Sequence, residues 1–90
     1  MYEIEVTNRF LKDLKLARKR NLDENKLNTV VKLLANGEEL PPKYHDHVLV
    51  GDYKGCRECH ITPDWLLVYS VADVLKIITL IRTGSHADLF

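Results

Sequence analysis

The groups in this 90-residue chain best suited to acid–base chemistry lie in its second half, where all four histidines fall: His45, His47, His60 and His86. An imidazole exchanges its proton near neutral pH, so histidines gathered by a fold can give and take protons within one reaction. Asp64 follows His60 across Ile61-Thr62-Pro63. A hairpin turn there is expected to bring the carboxylate beside the imidazole. Arg82 and Lys54 supply cations on or next to strand-like segments.

Cleavage of RNA by its own 2′-hydroxyl needs a base to take that proton, an acid for the leaving 5′-oxygen, and a cation over the phosphoryl oxygens. Histidines can fill the first two roles, and Arg82 or Lys54 the third. No Gly-rich phosphate loop, G-x-S-x-G elbow or H-E-x-x-H run is present, which removes the common nucleotide, acyl-transfer and zinc-protease readings. Cys56-Arg57-Glu58-Cys59-His60 spells the haem-attachment string C-x-x-C-H. Strand alternation would point its two cysteines to opposite faces, and Met1 is the only methionine that could supply a sulfur ligand. A metal site would also lack a second metal-spaced pair. No cofactor and no metal are expected, and both cysteines are expected to be reduced and packed.

These groups must be positioned by a small α+β unit. Tyr2–Val6 reads as an alternating strand. Thr7 is expected to cap a first helix, with Val6 and Leu11 as a hydrophobic staple and Phe10, Leu11, Leu14 and Ala17 on the apolar face. Asp23 repeats the cap for a second helix with Leu27, Val30, Val31 and Leu34 inward, stopped at Asn36-Gly37. After the extended Leu40-Pro41-Pro42 connector come four strand-like runs: Asp46–Val50, Lys54–Ile61, Trp65–Ala72 and Val74–Arg82. Short connections make these antiparallel. The expected fold is therefore an N-terminal strand and a helical hairpin packed on one face of an antiparallel sheet, one domain over residues 1–90, with the other face open. Trp65 is expected in the core with its indole N–H paired. Thr83-Gly84-Ser85 breaks the last strand and leaves His86, Asp88 and Phe90 on a terminal tail.

With 46% hydrophobic and 29% charged residues the composition is that of an ordinary soluble globule. No stretch approaches the roughly 20 apolar residues of a membrane span, and the N-terminus has no signal-like run, so a cytoplasmic location is expected. Zero net charge argues against a long basic groove. The charge is nevertheless uneven: eight Lys and Arg against five acids through Asn36, and five against eight thereafter. Arg9, Lys12, Lys15, Arg18, Lys19 and Arg20 concentrate it on the first helix, a face either solvated or placed to touch phosphates.

Asp46-His47-Val48-Leu49, Gly51-Asp52-Tyr53-Lys54-Gly55-Cys56-Arg57-Glu58-Cys59-His60, Pro63-Asp64-Trp65-Leu66-Leu67-Val68-Tyr69 and the ending Arg82-Thr83-Gly84-Ser85-His86-Ala87-Asp88-Leu89-Phe90 resemble the YafQ branch of the RelE toxin superfamily. The resemblance is dense from Tyr44 onward; the helical half agrees in layout. It implies a ribosome-dependent endoribonuclease that cuts messenger RNA in the ribosomal A site without a metal and is neutralised by an antitoxin of the DinJ/RelB kind. On the matching positions it implies His47, His60, Asp64 and His86 as catalytic, with His47 as base, His86 as acid, and His60 with Asp64 orienting and charging the site. Lys54, Arg57, Arg82 and Phe90 are expected to hold substrate, and Lys12, Lys15, Arg18, Lys19 and Arg20 to face ribosomal RNA. His45 has no counterpart and is placed on the surface. An exposed terminal aromatic such as Phe90 can stack on a base for about 1–3 kcal/mol, the bland alternative being a terminus tucked against the sheet. Two rivals share the fold: a ParE-like inhibitor that acts by binding gyrase, against which the histidine cluster speaks, and an inactive interaction module.

Overall fold

The computed structural model describes residues 1–90. In chain order it has β1 (Glu3–Val6), α1 (Asn8–Lys19), α2 (Glu24–Ala35), β2 (His47–Val48), β3 (Arg57–Thr62), β4 (Trp65–Ala72), β5 (Ile77–Gly84) and a one-turn helix α3 (His86–Leu89). Single 3-10 turns at Pro42–Tyr44 and Gly51–Tyr53 flank β2. No helix is long and apolar enough to cross a membrane.

Both expected N-caps are present. Thr7 Oγ1 accepts from the Phe10 N–H at 3.0 Å, and Asp23 Oδ1 accepts from the Asn25 N–H at 3.0 Å, each satisfying a donor that the first helical turn leaves free. Phe10 and Ala17 of α1 and Leu27, Val30 and Leu34 of α2 are buried against Cys59, Ile61, Trp65, Leu67, Tyr69, Ile78 and Leu80 of the sheet. The staple expected at the start of α1 does not bury, since Val6 and Leu11 are 44% and 45% exposed. Trp65 is in the core as expected, but its Nε1 has no protein partner.

The strands lie in the order β1-β5-β4-β3-β2. Strands β2 to β5 form the expected antiparallel meander, whereas β1 pairs with β5 in parallel, Glu3 to Ile77 through Val6 to Leu80, so the sheet is mixed. β1 is too short to cover all of β5, and α1 takes over where it stops. Thr7 Oγ1 donates to the Ile81 carbonyl at 2.8 Å, and Asp13 accepts from the Thr83 N–H at 3.1 Å. Edge groups that would otherwise be orphaned are thereby satisfied by the helix. The last strand begins at Ile77 rather than Val74. The chain turns through 73–76 with Lys76 at φ 57°, which leaves Val74 and Leu75 at the exposed tip.

The second face is not fully open. Leu89 of α3 packs there on Leu66 and Val68, with Leu49, Tyr53, Cys56 and Ile81 around them. The tail therefore folds back over the sheet on the side opposite α1 and α2.

Candidate active site

Cross-strand partners share a face of a sheet, so the register defines what the second face presents. His47 lies opposite Glu58, Glu58 opposite Val68, and Val68 opposite Arg82, one residue from each of β2, β3, β4 and β5. His60, two residues beyond Glu58, points the same way and lies opposite Leu66.

Glu58 is the centre of this row. Its carboxylate is 5% exposed, and Oε1 lies 3.5 Å from Nε2 of both His47 and His60. The contacts are electrostatic rather than good hydrogen bonds at that length. His47 is further fixed by its other nitrogen, because Nδ1 is 2.8 Å from the His45 carbonyl. A carbonyl can only accept, so Nδ1 carries the proton and Nε2 is left to exchange one. His45 itself adopts the left-handed conformation at φ 48° that closes the preceding turn, with its ring edge-on to His60 at 5.5 Å between centroids.

The C-terminal half of the site is built on a capping box. Ser85 Oγ accepts from the Asp88 N–H at 3.2 Å while Asp88 Oδ2 accepts from the Ser85 N–H at 2.9 Å. Asp88 also receives Arg20 at 2.6 and 3.3 Å, tying the tail to the end of α1. The Arg20 guanidinium first, and the Ser85 bonds second, hold the Asp88 carboxyl well below the usual carboxylate range. Gly84 makes this packing possible, since a Cβ there would stand 3.0 Å from Asp88 Oδ2. His86 and Phe90 are exposed on the resulting turn, with ring centroids 5.0 Å apart, and Phe90 meets Tyr53 edge-on at 5.6 Å. The Tyr53 hydroxyl is 3.3 Å from Arg82 Nη1. Arg82 is held from α1 by Asp13, Nε to Oδ2 at 2.7 Å and Nη2 to Oδ1 at 3.1 Å.

The sequence-predicted residues divide accordingly. His47 and His60 are brought together; His86, Phe90 and Arg82 share the same face but form a second group, and no ring contact joins His86 to the other histidines. Asp64 is exposed at the β3–β4 turn and forms no ion pair with His60; the carboxylate beside that imidazole is Glu58. Arg57, an odd number of residues from His60, lies on the opposite face. It is bound there by Asp46 at 3.0 Å, and Asp46 also accepts from the Tyr69 hydroxyl. Lys54 is exposed just before β3. Of the basic residues on and just after α1, Arg18 is paired with Glu24 and Arg20 with Asp88, while Lys12, Lys15 and Lys19 carry no ion pair. Cys56 and Cys59 are free and pack on opposite sides of the sheet. Burial, then the nearby Asp46 and Glu58 carboxylates, push the Cys59 thiol up to about 12. Nowhere do three His, Cys, Asp or Glu side chains converge as a metal-ligand set.

Glu58, Asp13 and Tyr53 were not singled out from sequence, and His45, placed on the surface, is exposed there beside His60. Glu58 had a readable signal in its separation of two from His60, and the terminal cap was spelled by Ser85-x-x-Asp88.

The profile of a family described as "Bacterial toxin of type II toxin-antitoxin system, YafQ" matches residues 2–90. The mRNA interferase toxin YafQ of Escherichia coli K12 is 46% identical over 89 residues, covering 98% of this chain and 95% of that protein. Among solved structures, an E. coli DinJ–YafQ complex superposes with a TM-score of 0.91 at 45% identity, covering 100% of this chain and 99% of the other. A metal-bound toxin from Helicobacter pylori superposes with a TM-score of 0.93 at 46% identity, with both chains fully covered.

Proposed function

The chain belongs to the YafQ family of type II toxins, and from that membership we propose that it is an endoribonuclease that cuts messenger RNA, using the histidines of the second face as acid and base. What supports this reading is the convergence of His47, His60 and Glu58 on the side of the sheet over which the tail returns with His86 and Phe90. The scissile phosphate occupies the space between the two groups. His47 Nε2 takes the 2′-hydroxyl proton, His86 protonates the leaving 5′-oxygen, and Arg82 stabilises the phosphoryl oxygens. Glu58 and His60 hold the charge around His47. Asp64 stands exposed at the turn for a contact with the substrate, and Phe90 stacks on a flanking base. Protons are exchanged between side chains and substrate alone, so no metal takes part in the steps assigned to this chain.

Zero net charge and a short cationic surface favour a substrate presented by another body, so cleavage takes place on the ribosome, in the cytoplasm. Lys12, Lys15 and Lys19, free of ion pairs, face ribosomal RNA. A relative crystallises with DinJ, and this toxin is held inactive by a cognate antitoxin of that kind. Expression in cells tests the reading: the wild type arrests growth with message cut at discrete sites, and His86→Ala does neither. DNA breaks with intact message would instead support action on gyrase.

A further inference from the structure

Where the second face runs off the edge of the sheet, past His47 and His60, it continues into a groove between α2 and the turn that precedes β2. It is lined by Lys26 and Thr29 from α2, Lys43 and Tyr44 from the 3-10 turn, Pro63 from the β3–β4 turn, and His45 beside the histidine pair. Two lysines and three histidines stand among its ten lining residues, and no carboxylate does. That is a biased stretch in a chain with 13 acids and 13 Lys and Arg. Neither lysine is neutralised: Lys26 has no ion pair, and Lys43 Nζ lies 5.1 Å over the Tyr44 ring rather than against an acid. A cationic trough continuous with an acid–base centre fits a polyanionic strand that passes through that centre.

We propose that this groove holds the sugar–phosphate backbone of the RNA next to the cleaved linkage, Lys26 and Lys43 each meeting one phosphate. The inference rests on the nuclease reading and adds to it the path by which the strand leaves the site. It also gives His45 a place against the strand.

The test uses the full chain and a short RNA blocked by 2′-O-methyl groups, with binding measured by fluorescence anisotropy over a range of salt concentrations. Lys26→Ala and Lys43→Ala are each expected to lower the slope of log affinity against log salt by about 0.7, and the double variant by about twice that. Both side chains are exposed, so the thermal melts should match the wild type. Unchanged slopes in the double variant, or wild-type binding with no salt dependence, overturn the proposal. So does a double variant that loses affinity for the antitoxin while keeping the RNA slope, because the occupant is then an acidic protein segment. Cleavage by the wild type on ribosomes is measured alongside: cutting with unchanged slopes removes the groove alone, and lysine-dependent slopes without cutting remove the nuclease reading alone.

Discussion

Asp13 is the residue whose loss should cost the fold most for its size. Its carboxylate receives Arg82 at 2.7 and 3.1 Å and the Thr83 N–H at 3.1 Å, and both side chains of the ion pair are 12% exposed. Asp13→Ala leaves the guanidinium with only the Tyr53 hydroxyl and strands a buried backbone donor. An orphaned donor costs about 1–3 kcal/mol, and removing one partner of a buried ion pair about 3–5 kcal/mol. Water reaches the remaining exposed fraction of this pair, so the combined loss is set at roughly 3 kcal/mol rather than the sum. For a domain of this length that corresponds to a fall in Tm of roughly 12–24 °C. Equilibrium urea unfolding followed by the fluorescence of Trp65, the sole tryptophan, measures it directly. Asp13→Asn, which keeps an acceptor for Thr83, should fall between. Asp13→Leu combined with Arg82→Met should recover the part of the loss that comes from the unpaired guanidinium, since well-packed apolar groups can replace a buried pair, but not the part that comes from the stranded Thr83 N–H, and it should lose cleavage with Arg82. A loss below about 1 kcal/mol for Asp13→Ala, the size of a surface pair, would refute the claim that α1 clamps the end of β5 through this carboxylate.

The tail offers further tests. Gly84→Ala drives a Cβ to 3.0 Å from Asp88 Oδ2, so it should loosen the terminal turn and depress cleavage while the core melts nearly unchanged; full activity with unaltered tail amide exchange would contradict this. The depressed Asp88 carboxyl contributes tail stability that is complete above the ordinary aspartate value of about 3.9 and is lost as pH falls toward its folded value, so the protection of the Leu89 and Phe90 amides, taken relative to the unstructured chain at the same pH, should be intact at pH 5 and fall only in stronger acid. Arg20→Ala should lower that protection at pH 7 as well; no change there would mean the ion pair does not hold the tail. Cys59, buried and with its thiol pushed up to about 12, should resist a thiol reagent at pH 8 until the protein unfolds, whereas half-buried Cys56 should react first; the reverse order would place Cys59 outside the core.

Caps, helix faces and the antiparallel meander were legible because each is written in local spacing. The parallel pairing of β1 was not, since period-two alternation is the same in either direction and the choice depends on where the helices return the chain. Asp64 was expected beside His60 because the turn between them is short. The register shift between His60 and Thr62 sets Thr62 opposite Trp65 and leaves Asp64 at the exposed turn. Glu58 reads as one more surface acid until β2 pairs beside it, and a two-residue strand is too brief to announce its register. Arg57 is a different lesson, because its odd separation from His60 already placed it on the other face of a regular strand.

The central claim is that separate histidines on one face act as base and acid. It is tested most directly by the pH dependence of single-turnover cleavage on ribosomes for the wild type, His47→Ala and His86→Ala. The account predicts a bell-shaped profile for the wild type, the acidic limb lost with His47 and the alkaline limb lost with His86. Residual cleavage in either variant that keeps the full bell would contradict it.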